Sequence, residues 1–220
     1  MLEAVKTTIL FVSALFPIVN PLGGSPIFLV LTREYSTTDR KLLAQRIALN
    51  SFVLMLASFL VGTHILSFFG ISLPVVQVGG GLIVISTGWA MLNQKEQADR
   101  EAVHRNVQPQ EIFSHAFYPL TLPLTVGPGS ISVAITLGAN ATRHFGPNLP
   151  SIIAALIGST LIAISIFLCY GFADRLERLI GATGMSVIMR LSSFLLVCIG
   201  VQIFWNGLSA LLRSLPTLSP

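Results

Sequence analysis

Two short stretches of the chain place prolines, glycines and small polar residues inside apolar sequence. They read FPIVNPLGGSPIF and YPLTLPLTVGPGSI, and each carries three prolines at the same spacing, offset by 102 residues. Proline has no backbone N–H and its ring crowds the preceding helical turn, so a continuous helix through either stretch is disfavoured. Each stretch therefore predicts a helix break, and the residues responsible are Pro17, Pro21, Pro26, Pro119, Pro123 and Pro128.

A helix that restarts after such a break could bind an anionic group. Ser25 followed by Pro26 is typical of an N-cap and a first helical position, and Gly127 followed by Pro128 repeats the pattern. The first N–H groups of a helix are unpaired and carry the positive end of its dipole, which favours a carboxylate. The predicted substrate-binding residues at the two breaks are small or polar: Asn20, Gly23, Gly24, Ser25, Thr125, Gly127, Gly129 and Ser130.

A purely structural interpretation of both stretches is also open. Proline kinks are common in membrane helices, and neighbouring Ser or Thr hydroxyls can satisfy the carbonyls that a proline frees. The repeated Pro-Gly-Pro pattern favours a functional break, since irregular backbone inside a membrane is tolerated where it is buried or lines a cavity.

Two further polar residues lie inside apolar runs away from the breaks. Arg190 is predicted to pair with an anionic substrate or, alternatively, to extend its guanidinium to the nearby aqueous surface. Gln77 is predicted to contact substrate or to form a hydrogen bond between helices. His64 and His115, near the ends of apolar runs, are candidates for proton coupling or for interfacial hydrogen bonds.

The carboxylates of the chain lie at or beyond the ends of its apolar runs. A carboxylate proton relay at membrane depth is therefore not predicted, and coupling to Na⁺ or H⁺ would use carbonyls, hydroxyls or amides. No nucleophile pairs with a base at that depth and no metal-ligand spacing occurs. We therefore expect neither an enzyme nor a metal or other cofactor.

The composition indicates that the helices carrying these residues lie in a lipid bilayer. Of the 220 residues, 53% are apolar and 10% are charged, whereas a soluble domain is about 25% charged. Crossing the hydrocarbon takes about 20 mostly apolar residues. Runs of that length predict an all-α membrane protein with six transmembrane helices, at 7–32, 43–69, 73–92, 113–139, 149–173 and 187–212.

The basic residues indicate orientation rather than binding to nucleic acid. The formal net charge is +4, but nine Lys and Arg residues lie in the loops after spans one, three and five, against three on the other side. Under the positive-inside rule those loops are cytoplasmic, and both termini are extracytoplasmic.

A polar segment divides the chain into two halves. Residues 93–112 are predicted to form a cytoplasmic linker between a first three-helix repeat at 1–92 and a second at 113–220. Because three is odd, the second half enters the membrane in the opposite sense. This predicts two inverted repeats in which helices one and four are broken and their half-helix N-termini face each other.

Three segments together carry a resemblance to a known family. "NPLGGSPIFLVLT" in span one, "PLTVGPGSI" in span four and "RLSSFLLVCIGVQIFWNG" in span six resemble the MarC family of bacterial and archaeal inner-membrane proteins, which is grouped with the LysE-like exporters. The resemblance implies a multi-pass protein of the bacterial inner membrane that transports small neutral amino acids such as Gly, Ala or Ser, coupled to a cation. It also implies that the substrate path is lined by Asn20, Pro21, Gly23, Gly24, Pro26, Gly127, Pro128 and Gly129.

The function expected from these observations is secondary transport of a small solute across the bilayer. A carrier of thiols or reducing equivalents is an alternative, but Cys169 and Cys198 lie in spans five and six rather than at the breaks. A passive channel and a non-transporting assembly factor are further alternatives. The expected partners are lipid and a small-molecule substrate, and association into a homo-oligomer is left open.

Overall fold

The computed structural model describes residues 2–33, 35–93, 115–142 and 149–214, and its regular structure is helical. Eight helical segments follow one another along the described chain: α1 Leu2–Val19, α2 Pro21–Leu31, α3 Thr37–Phe68, α4 Leu73–Leu92, α5 Ala116–Thr125, α6 Pro128–Thr142, α7 Leu149–Gly171 and α8 Ala173–Ser214. Most of the predicted 93–112 linker lies outside the described residues, and Asn93 is the C-cap of α4.

The helices account for six predicted crossings of a membrane. Five are long and apolar enough alone: Val5–Leu31, Thr37–Phe68, Leu73–Leu92, Leu149–Gly171 and Thr183–Ser214. The sixth is a bent pair, Ala116–Thr125 with Pro128–Ala141, whose axes differ by 70°. The prediction of an all-α, multi-pass membrane protein is thus confirmed, while the inverted repeat and the orientation of the termini stay predictions.

α3 and α8 begin well before the apolar runs that predict them. α3 starts at Thr37 because the Ser36 hydroxyl accepts a hydrogen bond from the Asp39 N–H at 3.1 Å and donates one to the Asp39 carboxylate at 2.7 Å. α8 starts at Ala173 and is interrupted at Gly181, whose φ of 76° and ψ of 163° are not helical. Residues 173–180 therefore form a short helix at an angle to the membrane span that follows.

The first span lies at the centre of the bundle. Half of its most apolar stretch is buried, against 17% to 33% in the other four unbent spans. Its large apolar side chains pack mainly against α7, and Phe11 also contacts Phe59 of α3. The fully buried side chains of this core include Phe11, Leu15, Phe28, Ile47, Met55, Ile162 and Ile166. The first of the two interrupted spans is thus more deeply enclosed by protein than the other unbent spans are.

α4 and α8 form an antiparallel pair whose backbones are in contact. A Cβ on Gly81 would lie 2.5 Å from the Phe204 backbone nitrogen, and one on Gly207 would lie 2.7 Å from the Pro74 carbonyl oxygen. Such contacts require glycine, since a side chain would separate the two helices. This pair packs beside α6 and so positions the second predicted break.

Candidate functional site

The first break is at Asn20, between α1 and α2. Asn20 has a left-handed backbone, with φ 47° and ψ 59°, and its side-chain oxygen accepts a hydrogen bond from the Gly23 N–H at 3.1 Å. Pro21 occupies the first helical position, where its missing N–H costs nothing. Asparagine adopts the left-handed conformation more readily than most residues, because its short polar side chain bonds locally. Span one is therefore interrupted, as predicted.

The predicted position of the restart in span one, at Ser25 and Pro26, is wrong. α2 runs without interruption from Pro21 to Leu31, and the Gly24 N–H donates to the Asn20 carbonyl at 2.9 Å. Pro26 cannot donate to the Leu22 carbonyl, and the Ser25 hydroxyl donates to that oxygen instead, at 3.1 Å. At Pro26 the structural alternative is correct, because a neighbouring hydroxyl satisfies the carbonyl that the proline frees.

The second break is wider and lies between α5 and α6. α5 is a π-helical segment in which Tyr118 and Leu122 have extended backbone angles, each directly before a proline. α6 starts at Pro128, and the Gly127 carbonyl accepts its first hydrogen bond, from the Ile131 N–H, at 3.2 Å. The predicted restart at Gly127 and Pro128 is confirmed.

Two threonine hydroxyls stabilise the irregular segment before the second break. Thr121 donates to the Ala116 carbonyl at 2.6 Å, and Thr125 donates to the Leu120 carbonyl at 2.7 Å. Both hydroxyls are buried, and each bond spans five residues. These hydroxyl bonds add to the backbone bonds of the π-helical turns, so the irregular segment keeps its polar groups paired inside the bundle.

The two helix starts differ in the backbone donors that they leave free. In α2 the Gly23 N–H is taken by Asn20, which leaves the N–H of Leu22. In α6 the N–H groups of Gly129 and Ser130 have no hydrogen-bond partner among the described residues, and both residues are buried. The start of α6 therefore has the larger unsatisfied capacity to bind an acceptor.

Tyr170, near the end of α7, joins the two breaks. Its hydroxyl lies 3.2 Å from the Thr125 hydroxyl, and its ring stacks on Phe28 with centroids 4.8 Å apart. A Cβ on Gly24 would lie 2.5 Å from the same hydroxyl oxygen. Gly24 thus makes room for a buried phenol that contacts both interrupted spans. The sequence analysis did not predict a role for Tyr170. The feature that could have indicated one is a tyrosine hydroxyl within an otherwise apolar span.

The side-chain nitrogen of Asn20 is an unsatisfied donor at the first break. Asn20 is 9% exposed, and its amide nitrogen has no hydrogen-bond partner in the described part of the chain. A Cβ on Gly23 would collide with the same amide group. A buried donor left unpaired costs about 1–3 kcal/mol. A ligand with a hydrogen-bond acceptor at this position would remove that cost by pairing with the Asn20 amide.

The other predicted substrate-binding residues lie away from the two breaks. Gln77 is half-buried and donates to the Thr136 hydroxyl at 3.4 Å, which links α4 to α6. Arg190 is on the exposed side of α8, as is Cys198. His64 is exposed near the end of α3, and His115 precedes α5. A direct role of these residues in binding substrate or protons stays a prediction.

Of the residues predicted at the breaks, Gly24 and Thr125 are linked through Tyr170, whereas Gly129 contacts α4. Gly129 packs so closely on α4 that a Cβ would collide with Val84, and a Cβ on Gly127 would lie 3.2 Å from the Pro123 carbonyl oxygen. The described residues include no group of three His, Cys, Asp or Glu side chains that could hold a metal ion. The chemistry available at the breaks is therefore that of backbone N–H groups, one amide and several hydroxyls.

Comparisons with known proteins agree over nearly the whole chain. The family model described as MarC family integral membrane protein matches residues 5–212. A UPF0056 inner membrane protein MarC of Salmonella arizonae is 31% identical over 221 residues, which cover 97% of this chain and 99% of that protein. A UPF0056 membrane protein of Methanocaldococcus jannaschii is 32% identical over 202 residues, which cover 91% and 95% of the two chains. No solved structure gives a significant match.

Proposed function

Since this chain belongs to the MarC family of integral membrane proteins, we propose that it is a secondary transporter of a small solute bound between its two broken spans. Small neutral amino acids are the proposed substrates, and Na⁺ or H⁺ is the proposed coupling ion. The relatives named inner membrane proteins support a location in the bacterial inner membrane.

The observation that carries this proposal is the set of buried donors without partners at the two breaks. The Asn20 amide nitrogen belongs to the first break, and the N–H groups of Gly129 and Ser130 belong to the second. Membrane proteins satisfy polar groups internally unless those groups line a cavity or bind a ligand. A carboxylate has the charge and the lone pairs that such donors favour.

The start of α6 is the proposed position of the substrate carboxylate. It carries two free backbone donors, whereas α2 carries one because Asn20 caps it. No side-chain cap is possible at Gly127, so a ligand oxygen can approach the backbone closely. The dipole of α6 adds a positive end at the same point.

The hydroxyls of Thr125 and Tyr170 are the proposed contacts of the substrate ammonium. Both are buried and lie 3.2 Å apart. Each hydroxyl has acceptor lone pairs and no charge. In the arrangement seen here the two hydroxyls contact each other, so substrate entry requires the breaks to separate. This fits a carrier, in which one closed state alternates with open ones.

The glycines at the breaks support a small substrate. Gly24 accommodates the Tyr170 hydroxyl, and Gly129 accommodates Val84. Both glycines are already in close contact with these side chains, so a methyl group on either one would crowd the proposed path. The same crowding excludes amino acids with large side chains and favours glycine, alanine and serine.

Transport by purified protein in proteoliposomes tests the proposal. We expect saturable uptake of labelled alanine or glycine above that of empty vesicles, and counterflow when unlabelled alanine is inside. Thr125→Val removes a hydroxyl at the site and should lower uptake at least tenfold, whereas Thr87→Val, at an exposed position in α4, should leave it unchanged. Equal uptake by the two variants would contradict the site.

The same vesicles separate this proposal from its alternatives. Counterflow requires a carrier, so uptake without counterflow would indicate a channel. Cys169→Ala with Cys198→Ala should transport alanine normally, because neither thiol belongs to the proposed contacts. Loss of function in that double variant, restored by either cysteine alone, would favour a thiol carrier.

A further inference from the structure

An apolar groove of about 310 Å³ opens beside the short helix at residues 173–180. It is bounded by the first turn of α2, the end of α7 and the start of α8, and its lining is Leu22, Leu168, Cys169, Phe172, Arg175, Leu176 and Leu179. Leu179 is 85% exposed. The groove is large enough for several methylene groups of a hydrocarbon chain, and in a membrane its surroundings are lipid.

The short helix and the turn before it supply most of this lining. Phe172 lies in the turn, and Arg175, Leu176 and Leu179 follow it at i+3, i+4 and i+7, the spacing of a single helical face. Asp174 and Glu177 fall outside that spacing. Two apolar side chains and one cation of the helix therefore line the groove together with Phe172, and the acids of the helix do not.

Two cations lie close to the aromatic ring of Phe172, which lines the groove. The Lys41 ammonium lies 5.4 Å from the Phe172 ring centroid, and the Arg175 guanidinium carbon lies 5.5 Å from it. Neither forms an ion pair in the part of the chain that the structure describes. Asp174, the nearest acid along the chain to Arg175, is paired with Arg40 instead.

Both cations lie beside one ring, so an anion bound next to that ring would be attracted to both. Lys41 lies near the start of the span Thr37–Phe68, and Arg175 lies just after the span Leu149–Gly171. Lipid headgroups lie at the ends of membrane spans. A lipid phosphate there would be held by both cations, and the acyl chain of that lipid would lie in the groove. Basic pockets between transmembrane helices bind anionic headgroups in this way.

We infer that this groove is a binding site for an anionic phospholipid. Lys41 and Arg175 hold the headgroup phosphate, and Leu22, Leu176 and Leu179 contact an acyl chain. The inference does not depend on the proposed transport function, because it rests on residues outside the predicted substrate path. Leu22 nevertheless belongs to the first turn of α2, so the bound lipid contacts the helix that starts at the first break.

Lipid binding to the purified full-length chain in mild detergent tests the site. Dioleoyl phosphatidylglycerol should raise the Tm more than dioleoyl phosphatidylcholine at equal concentration, because its headgroup has a net negative charge that the two cations attract. The acyl chains of the two lipids are identical, so the comparison reports on the headgroup. In Lys41→Gln with Arg175→Gln, the concentration that gives half of this rise should increase about thirtyfold, since each cation near a headgroup contributes roughly fivefold. Equal effects of the two lipids would overturn the inference.

A matched control removes the same number of positive charges as the double variant, but at positions away from the groove. Lys6→Gln with Arg213→Gln removes two exposed cations elsewhere and should respond to phosphatidylglycerol as the unmodified chain does. If this variant loses the response to the same extent, the effect is one of net charge and the site is wrong. If glycerol phosphate stabilises the chain as well as the lipid does, the groove takes free phosphate and the lipid assignment is wrong.

A measurement on the unmodified chain covers the case in which the double variant does not fold. In micelles with equal amounts of the two lipids, native mass spectrometry should find phosphatidylglycerol retained in preference to phosphatidylcholine. Retention of both in equal amounts would overturn the inference without any substitution.

Discussion

The two broken spans carry the same three prolines, yet they break at different ones. Span one is interrupted before its second proline, Pro21, whereas span four restarts at its third, Pro128. The residue before the second proline is Asn20 in span one and Leu122 in span four. Asparagine can cap a helix and adopt a left-handed backbone, and leucine can do neither. In span one the capping side chain decides which proline starts the new helix, whereas span four restarts at a proline without a side-chain cap.

The same difference determines how much binding capacity each break retains. In span one Asn20 consumes a free N–H of α2, and the Ser25 hydroxyl compensates for Pro26. In span four no side chain caps α6, and the chain bends by 70°. The first break is therefore a small interruption in a nearly continuous span, and the second is an open helix terminus.

The largest expected effect comes from removing the close contact at the second break. Gly129→Ala places a methyl group against Val84 and should destabilise the protein by about 1–3 kcal/mol, since it overpacks a buried contact. Gly79→Ala is the matched control, because a Cβ there meets nothing within 4 Å. It should be neutral, or stabilising by up to about 1 kcal/mol through helix propensity. Denaturation in detergent measures both, and equal stability would contradict the packing seen at Gly129.

Asn20 tests the first break directly. Asn20→Ala loses the cap and places an ordinary residue in a left-handed conformation, which should cost about 1–2 kcal/mol. Asn20→Gly also loses the cap but accepts the backbone angles without strain, so it should cost only a few tenths of a kcal/mol. Thermal denaturation of the two variants gives the difference. If alanine and glycine are equally tolerated, Asn20 does not hold the left-handed conformation described here.

The two serines near the breaks should differ in their effect on stability. Ser25→Ala leaves the Leu22 carbonyl without a donor, because Pro26 has none, and should cost about 1 kcal/mol. Ser130→Ala removes a bond to the Gly127 carbonyl, which still accepts from the Ile131 N–H. Its cost should be about half as large. Chemical denaturation of the pair measures the difference, and the reverse order would show that Pro26 is compensated in another way.

Of the substitutions considered, Tyr170→Phe should lower the free energy of unfolding least. It should nevertheless weaken transport of alanine clearly. The Thr125 hydroxyl keeps its bond to Leu120, and the ring keeps its stacking on Phe28. We therefore expect a loss below about 1 kcal/mol. In the transport assay the apparent KM for alanine should rise, because the proposed ammonium contact is removed. An unchanged KM would show that the phenol only joins the two spans.

Sequence reasoning located both interrupted spans and the start of α6, but misplaced the start of α2. The error has a local cause, because Asn20 before Pro21 and Ser25 before Pro26 are both good cap pairs. Choosing between them requires knowing that the Ser25 hydroxyl is used by the Leu22 carbonyl. Gly24 shows a second limit, since its need for glycine comes from Tyr170, 146 positions later in the chain.

The sequence by itself determined that the protein lies in a lipid bilayer, how many spans it has and which of them are interrupted. These properties depend on apolar length and on the missing N–H of proline, which are local and need no neighbour. Only the tertiary structure decided what the interruptions contact. The bond between Thr125 and Tyr170, the space at Gly24 and the cations on Phe172 join residues far apart in the chain. Such contacts are set by how the helices pack against one another, and no local pattern encodes that packing.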